Sequence, residues 1–461
     1  MDESVATGES EPVLKNRGSS VIAGTVNSDG ALKVNVTKIG EHTFLAGVMR
    51  LVAEAQSSKS RLQILSDRAA FYLTIVAVVS GAITFTAWIL AGGGTAFAVE
   101  RLVAVLVIAC PHALGLAVPL VASISTTKAA RNGFLVKQRL ALEAARSIDV
   151  VLFDKTGTLT KGSYGVTNVW AVRSVEKDVV RLAASVDAYS EHPIAKAIVL
   201  YAREQHIPLS EIKEFSRIPG KGSQARVDGA FVVVGGAAIV ERKNVSAPDE
   251  VAGEHNRGKT IIYVLRNGEL LGILALADII RDESREAVKI LKSMNVGVAM
   301  ITGDADDVAA WVAGELGITE YFAHVLPSQK SEKVKLLQSE GKCVAMVGDG
   351  INDAPALTQA DLGIAIGAGT NVAIESAGII LVKNDPRDIP KIITLSKLTY
   401  AKMIQNLFWA AGYNIVAIPL AAGILASRGV LLSPALGAVF MSLSTVIVAA
   451  NAMLLKARRL V

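Results

Sequence analysis

The sequence predicts a multidomain α/β membrane protein. It has a doubly wound sheet domain interrupted by an inserted α+β domain, a partial β-rich unit at the start, and four transmembrane helices. Three observations carry this. Hydrophobic residues make up 51% of the 461 residues and mean hydropathy is +0.43, high for a soluble chain. The apolar residues gather in four nearly uncharged runs, at about 69–91, 102–127, 406–426 and 433–455. Between the second and third runs, a polar region of roughly 130–395 alternates strand and helix patterns without a spanning run.

In chain order, residues 1–50 mix short β-type runs (20–26 and 32–37) with turns at Gly18, Gly24, Asp29-Gly30 and Gly40, as part of a small β-rich unit. Residues 51–127 form a linker helix, continuing a helical pattern over 44–68, and then a transmembrane hairpin turning at Gly92-Gly93-Gly94-Thr95. Arg50, Lys59, Arg61 and Arg68 precede this hairpin and Lys128, Arg131, Lys137 and Arg139 follow it. The bias places both flanks in the cytoplasm and the Gly92 loop outside. Residues 128–163 and 271–395 form the doubly wound domain, with strands expected at 296–302, 343–347, 362–366 and 379–382. Residues 164–270 form the insertion, whose β runs (230–234, and 260–265 with an Asn267-Gly268 turn) are antiparallel in character. Residues 396–461 form a second hairpin ending in Lys456-Ala457-Arg458-Arg459, which places the end in the cytoplasm.

Several classes are set aside. The net charge of +5 comes without clustered Lys/Arg, so nucleic acid is not an expected partner. Two distant cysteines, Cys110 and Cys343, do not make a disulfide framework. The opening Met1-Asp2-Glu3-Ser4 is acidic and unlike a signal peptide.

The organising stretch is Val150-Val151-Leu152-Phe153-Asp154-Lys155-Thr156-Gly157-Thr158-Leu159-Thr160. Four apolar residues read as a buried parallel strand, and Asp154 stands at its carboxyl end, where open α/β sheets bind ligands. A carboxylate there can take a phosphoryl group as an aspartyl phosphate, while the Thr156-Gly157-Thr158 turn offers hydroxyls and N–H groups to phosphate. The seven-residue run from Asp154 to Thr160 resembles the phosphorylation signature of P-type ATPases.

Three later stretches extend the resemblance to the haloacid dehalogenase-like phosphotransferase core: Thr302-Gly303-Asp304, Pro327-Ser328-Gln329-Lys330, and Gly348-Asp349-Gly350-Ile351-Asn352-Asp353. Lys155 and Thr156 belong to the same catalytic set. Thr302 could hydrogen-bond a phosphoryl oxygen and Lys330 neutralise developing charge. The resemblance implies Mg²⁺ held by Asp154, the Thr156 carbonyl and Asp349, with Asn352 and Asp353 supporting that loop and Asp353 a further candidate for the ion. It also makes Thr-Gly-Glu-Ser at 7–10 part of an actuator domain, whose Glu9 would position the water that hydrolyses the aspartyl phosphate.

In the insertion, Ser190-Glu191-His192-Pro193 and Pro219-Gly220-Lys221-Gly222 are similar to the nucleotide site of the heavy-metal branch. This implies ATP contacts at Glu191, His192, Gly220 and Gly222. Where the family usually has Glu, five residues before the histidine, this chain has the shorter Asp187.

The second apolar run holds Cys110-Pro111-His112, with Pro119 further on. Each proline removes a backbone donor, so the helix is expected to kink or partly unwind, which Cys110 and His112, two apart, need in order to face one ion. Thiolate and imidazole suit copper, silver or zinc; a packed Cys with a hydrogen-bonded His is the equal alternative from these residues alone. Tyr413 and Asn414, then Met441, Ser442, Ser444 and Thr445, add polar or thioether groups to the last two runs. With Cys-Pro-His, these resemble the Cys-Pro-His subgroup of heavy-metal ATPases, implying export of copper, as Cu(I) or Cu(II), or of silver. Such pumps place large cytoplasmic domains beneath a multi-pass plasma-membrane region and raise a metallochaperone as a partner.

The family has further helices and actuator strands upstream, so the expectation is an N-terminally truncated pump whose missing part belongs with it. The competing readings are a non-pumping fragment that keeps nucleotide or metal binding, a zinc/cadmium-type pump, and a soluble phosphatase-like enzyme with the same core fold.

Overall fold

The structure is a computed structural model and describes residues 15–19, 21, 27, 31–37, 39–40, 60–190, 192–218, 221–240, 259–349, 351–367 and 375–460. The expected 20–26 run, the 44–59 part of the linker helix, and the site candidates Glu9, Glu191 and Gly220 lie outside the described residues, apart from Val21 within the first of these. Residues 32–37, expected as a β run, form no strand; all are exposed. A β run without a paired neighbour has nothing to satisfy its N–H and C=O groups.

The chain divides into two units, residues 1–148 with 360–461, and residues 149–359. In the first, apolar helices dominate: Arg61–Leu90, Thr95–Ile108, His112–Arg131 and Pro434–Ala457. Among the described residues, Arg61–Leu90, Thr95–Arg131 and Pro434–Ala457 are long and apolar enough to cross a membrane. The second expected span is not one helix. It breaks between Ile108 and His112, where Pro111 has no N–H to continue the ladder, yet runs on through Pro119. The run at 406–426 also divides, into the end of Asp388–Ala411 and the separate helix Asn414–Ala422.

Side chains bind these helices where backbone cannot. Lys128 Nζ caps the last helix by donating to the Leu455 and Lys456 carbonyls at 2.9 and 3.1 Å, a cation at a helix C-terminus. Asn406, fully buried, donates to the Ala117 carbonyl (3.1 Å) and accepts from Asn451 (2.8 Å), whose own carbonyl accepts from Lys402 (2.7 Å). This unit also holds Phe134–Val136 antiparallel to Ile379–Leu381, which pairs in parallel with Leu362–Ile366.

The second unit has two sheets. Four parallel strands run in the order Val344–Gly348, Val150–Asp154, Gly297–Ile301, Glu320–Phe322. Val150–Asp154 and Val344–Gly348 are buried throughout, which is why they read as unbroken apolar runs instead of alternating ones. The other sheet is antiparallel and six-stranded, from Thr160–Ala171 through Glu269–Ile280, Thr260–Arg266, Ala230–Gly235 and Gly222–Val227 to Ile212–Ile218. The Asn267-Gly268 turn has φ of +50° and +85°, the signs a two-residue hairpin of this twist requires. Helices Glu176–Asp187 and Pro193–Glu204 cover this sheet around a core that includes Val179, Leu182, Ile198, Val232, Val264 and Leu274. Positions 163–164 and 270–271 fall inside the paired strands Thr160–Ala171 and Glu269–Ile280.

Candidate active site and membrane metal site

Asp154 leaves its strand extended (φ −63°, ψ 146°), and the chain turns sharply through Thr156 and Gly157. Gly157 has φ +75°, and a Cβ there would lie 1.9 Å from Asp349 Oδ2. No other residue lets these two strand ends approach so closely. Lys330, at the start of helix Lys330–Ser339, sends Nζ to Asp154 Oδ1 (2.5 Å) and Asp353 Oδ1 (2.6 Å). All three side chains are buried. One oxygen each from Asp154, Asp349 and Asp353 lies within 4.8 Å of the others.

Three carboxylates around one ammonium leave excess negative charge. Burial pushes the Asp154 carboxyl up to about 7, and Asp353 pushes the same way against Lys330. Burial and Asp353 raise Asp349 as well. The set is hard oxygen, crowded and short of cations, and it fits Mg²⁺.

Thr302 is buried at the end of the neighbouring strand, and its Oγ1 accepts from Asp304 N at 3.1 Å. Asp304 pairs with Lys155 at 2.6 Å, tying the Thr302 loop to the loop after Asp154. Gly303 and Asn352 are exposed. Sequence reasoning passed over Asp278 and Arg281. Asp278 Oδ2 accepts from Thr160 Oγ1 (2.6 Å) and lies 3.5 Å from Lys155 Nζ. Arg281 donates to the carbonyls of Thr160 (3.1 Å) and Gly157 (3.3 Å). The signal was present, since Asp278 stands near the carboxyl end of a strand just as Asp154 does.

In the antiparallel domain, Asp187 is buried and accepts from Ser223 Oγ at 2.6 Å. Burial raises its carboxyl to about 6, against that hydrogen bond. His192 is exposed and caps helix Pro193–Glu204, its Nδ1 accepting from Ile194 N at 3.3 Å. Gly222 has φ +152°, and a Cβ there would lie 2.0 Å from the Val234 carbonyl. Its role in the fold is close strand approach.

In the membrane unit, Cys110 is exposed in the gap between two helices and His112 begins the second. Tyr413 Oη donates to the Ile108 carbonyl (3.3 Å), which brings the second hairpin to the edge of that gap. Asn414 is buried, and neither its Oδ1 nor its Nδ2 has a partner. An orphaned buried amide is costly unless a ligand satisfies it. The hydroxyls behave differently. Ser442 and Thr445 bond the carbonyls of Ala438 and Met441 one turn back, Ser442 being exposed, whereas buried Ser444 donates to Trp409 O (3.3 Å) on another helix. Met441 is half-buried.

A strand-end aspartate paired with a helix-start lysine and facing two further aspartates defines a haloacid dehalogenase-like phosphotransferase. The model of the haloacid dehalogenase-like hydrolase family matches residues 148–361, and that of the P-type ATPase actuator domain matches residues 1–53. The chain is 52% identical to the copper-exporting P-type ATPase B of Archaeoglobus fulgidus, over 99% of this chain and 66% of that one. It is 46% identical to a probable copper-transporting P-type ATPase B of Staphylococcus epidermidis, over 99% of this chain and 68% of that one. It thus spans about two thirds of the length of these relatives. A crystal structure of a zinc-transporting PIB-type ATPase in the E2.Pi state superposes with a TM-score of 0.73 at 32% identity, over 99% of this chain and 74% of that one. The chain belongs to the P-type ATPases, which are membrane-embedded, ATP-hydrolysing enzymes.

Proposed function

We propose that this chain is the greater part of an ATP-driven exporter of copper, as Cu(I) or Cu(II), with silver an alternative cargo. The observation that carries the reading is the buried Asp154 carboxylate held by Lys330 beside Asp349 and Asp353. An Asp154 oxygen attacks the terminal phosphorus of ATP, the bond to the bridging oxygen breaks, and ADP leaves with that electron pair. Lys330 meets the charge gathering on the phosphoryl group, and Lys155 and Asp304 hold the Thr302 loop in place. Magnesium bound by Asp154, Asp349, Asp353 and the Thr156 carbonyl would supply Lewis-acid polarisation. Asn352 supports this loop, and Glu9 directs the water that cleaves the aspartyl phosphate.

His192, Asp187, Glu191, Gly220 and Gly222 hold the nucleotide on a domain of residues 164–270. The phosphorylation domain is 128–163 with 271–395, the partial actuator 1–50, and the membrane portions 51–127 and 396–461. Cargo binds at Cys110 and His112 with Tyr413, Asn414, Met441 and Ser444, while Ser442 and Thr445 contribute through their helix. The relatives named for copper favour that cargo, as does a thiolate and thioether set. The plasma membrane is its location and a metallochaperone its donor.

The test is ATP hydrolysis by the purified chain, titrated with Cu(I), Ag(I), Cu(II) and Zn(II). Copper or silver stimulation, abolished in Asp154→Asn, is expected. Stimulation by zinc alone would overturn the copper reading. The second reading is a fragment that binds nucleotide or metal without pumping. Any Asp154-dependent, metal-stimulated turnover excludes it.

A further inference from the structure

The end of the membrane unit that carries the Gly92 loop is fastened by side chains that the pumping reading leaves unused. Trp88, near the end of helix Arg61–Leu90, donates from Nε1 to the Ala422 carbonyl at 2.9 Å. Its ring meets Phe97 edge-on, with centroids 4.8 Å apart. Arg101 lies over the Phe97 ring, its guanidinium carbon 5.3 Å from the centroid. It is 1% exposed, and its Nη1 donates to the Leu432 carbonyl at 2.8 Å while Nη2 meets Glu100. Gly423 (φ +88°) lies close against Trp88, where a Cβ would lie 3.0 Å from Cζ2.

Ala422 ends Asn414–Ala422, so its carbonyl is one that the helix leaves over, while the Leu432 carbonyl belongs to the loop that leads into Pro434–Ala457. The cluster therefore joins the outer ends of four helices; Cys110 follows one of them, Thr95–Ile108, Tyr413 and Asn414 open the third, and Met441 lies in the fourth. A buried guanidinium is an expensive way to hold a loop and earns its place only if the closure matters.

We infer that Trp88 and Arg101 form an outer latch, a pair of positioning residues that keeps the face opposite the cytoplasm closed and must open for cargo to leave. This rests on the pump reading above. Opening breaks two hydrogen bonds to carbonyls without unfolding a helix, so it suits a reversible step.

The test uses the full chain in liposomes with Cys343→Ser, which leaves Cys110 as the one thiol. A membrane-impermeant maleimide is applied to the face bearing the Gly92 loop, without ATP. Trp88→Phe keeps the ring stack and loses the donor; Arg101→Met removes the second tie. With Trp88→Phe, labelling of Cys110 is expected to quicken about fivefold, the effect of one hydrogen bond on a closed-to-open ratio. Metal moved per ATP should fall, while phosphoenzyme formed from ATP stays within about twofold, since the catalytic residues are untouched. Arg101→Met should act in the same direction. Unchanged labelling in Trp88→Phe would overturn the latch. An unaltered chain that forms no phosphoenzyme would defeat the pump reading instead, and the labelling comparison would still decide the latch.

Discussion

Lys330 Nζ stands 2.5 Å from Asp154 Oδ1 and 2.6 Å from Asp353 Oδ1, with all three side chains buried. One ammonium therefore serves two carboxylates from different strand ends. Lys330→Met leaves both uncompensated, so it should destabilise the fold by about 3 kcal/mol and carry Asp154 above its present pKa. The sign follows from linkage: a carboxylate whose folded pKa is raised loses stability as pH rises. Thermal unfolding should show a larger defect at pH 8 than at pH 5, and phosphoenzyme formation should drop by about a hundredfold or more.

Asp154 itself titrates near 7 when folded, against 3.8 as its ordinary value. The folded chain thus holds a proton that the unfolded chain releases between about pH 4 and pH 7, and stability falls across that window. Asp154→Asn should be more heat-resistant than the unaltered chain at pH 8, by at most about 4 kcal/mol, and indistinguishable near pH 4. Magnesium must displace the same proton, so its affinity by calorimetry should climb by up to about tenfold per pH unit below 7 and level off above. A pH-independent affinity would contradict the three-carboxylate site.

Gly157→Ala places a methyl 1.9 Å from Asp349 Oδ2 at a φ of +75°. The backbone cost alone is about 1–2 kcal/mol. The expected result is a folded chain whose Asp349 is displaced and whose magnesium affinity, measured without nucleotide, is lost.

Asn406 and Asn451 join two membrane helices through one 2.8 Å bond, and Asn406 carries the link on to the Ala117 carbonyl of a third. Alanine at both positions should cost less than the two single changes summed, with a coupling of about 1 kcal/mol in a double-mutant cycle of detergent unfolding. Additive effects would mean that the pair is incidental.

How much was legible depended on how local the signal was. The strand before Asp154, the Asn267-Gly268 hairpin and the break at Pro111 follow from runs of a few residues, whose propensities need no distant partner. That the run at 406–426 divides into two helices was not legible, because hydropathy sums over a window and does not register the helix end after Ala411. The place of Asp278 near a strand end was readable, but its pairing with Lys155, like that of Ser223 with Asp187, was not, because each joins residues far apart in the chain whose types are common on any surface.

By itself the sequence determined the chemistry on offer: an aspartate at a strand end, a lysine opening a helix, aspartates at the next strand end, and a thiol and imidazole around a proline in an apolar run. Such choices are written residue by residue, because nucleophile, cation and soft ligand are properties of side chains. Only the tertiary structure decided which charges share a site. It set Lys330 between Asp154 and Asp353, gave Lys155 to Asp304, left the Asn414 amide unsatisfied, and tied Trp88 and Arg101 to carbonyls more than 300 residues away. Burial and proximity set the pKa of Asp154, and neither exists until strands distant in sequence lie side by side.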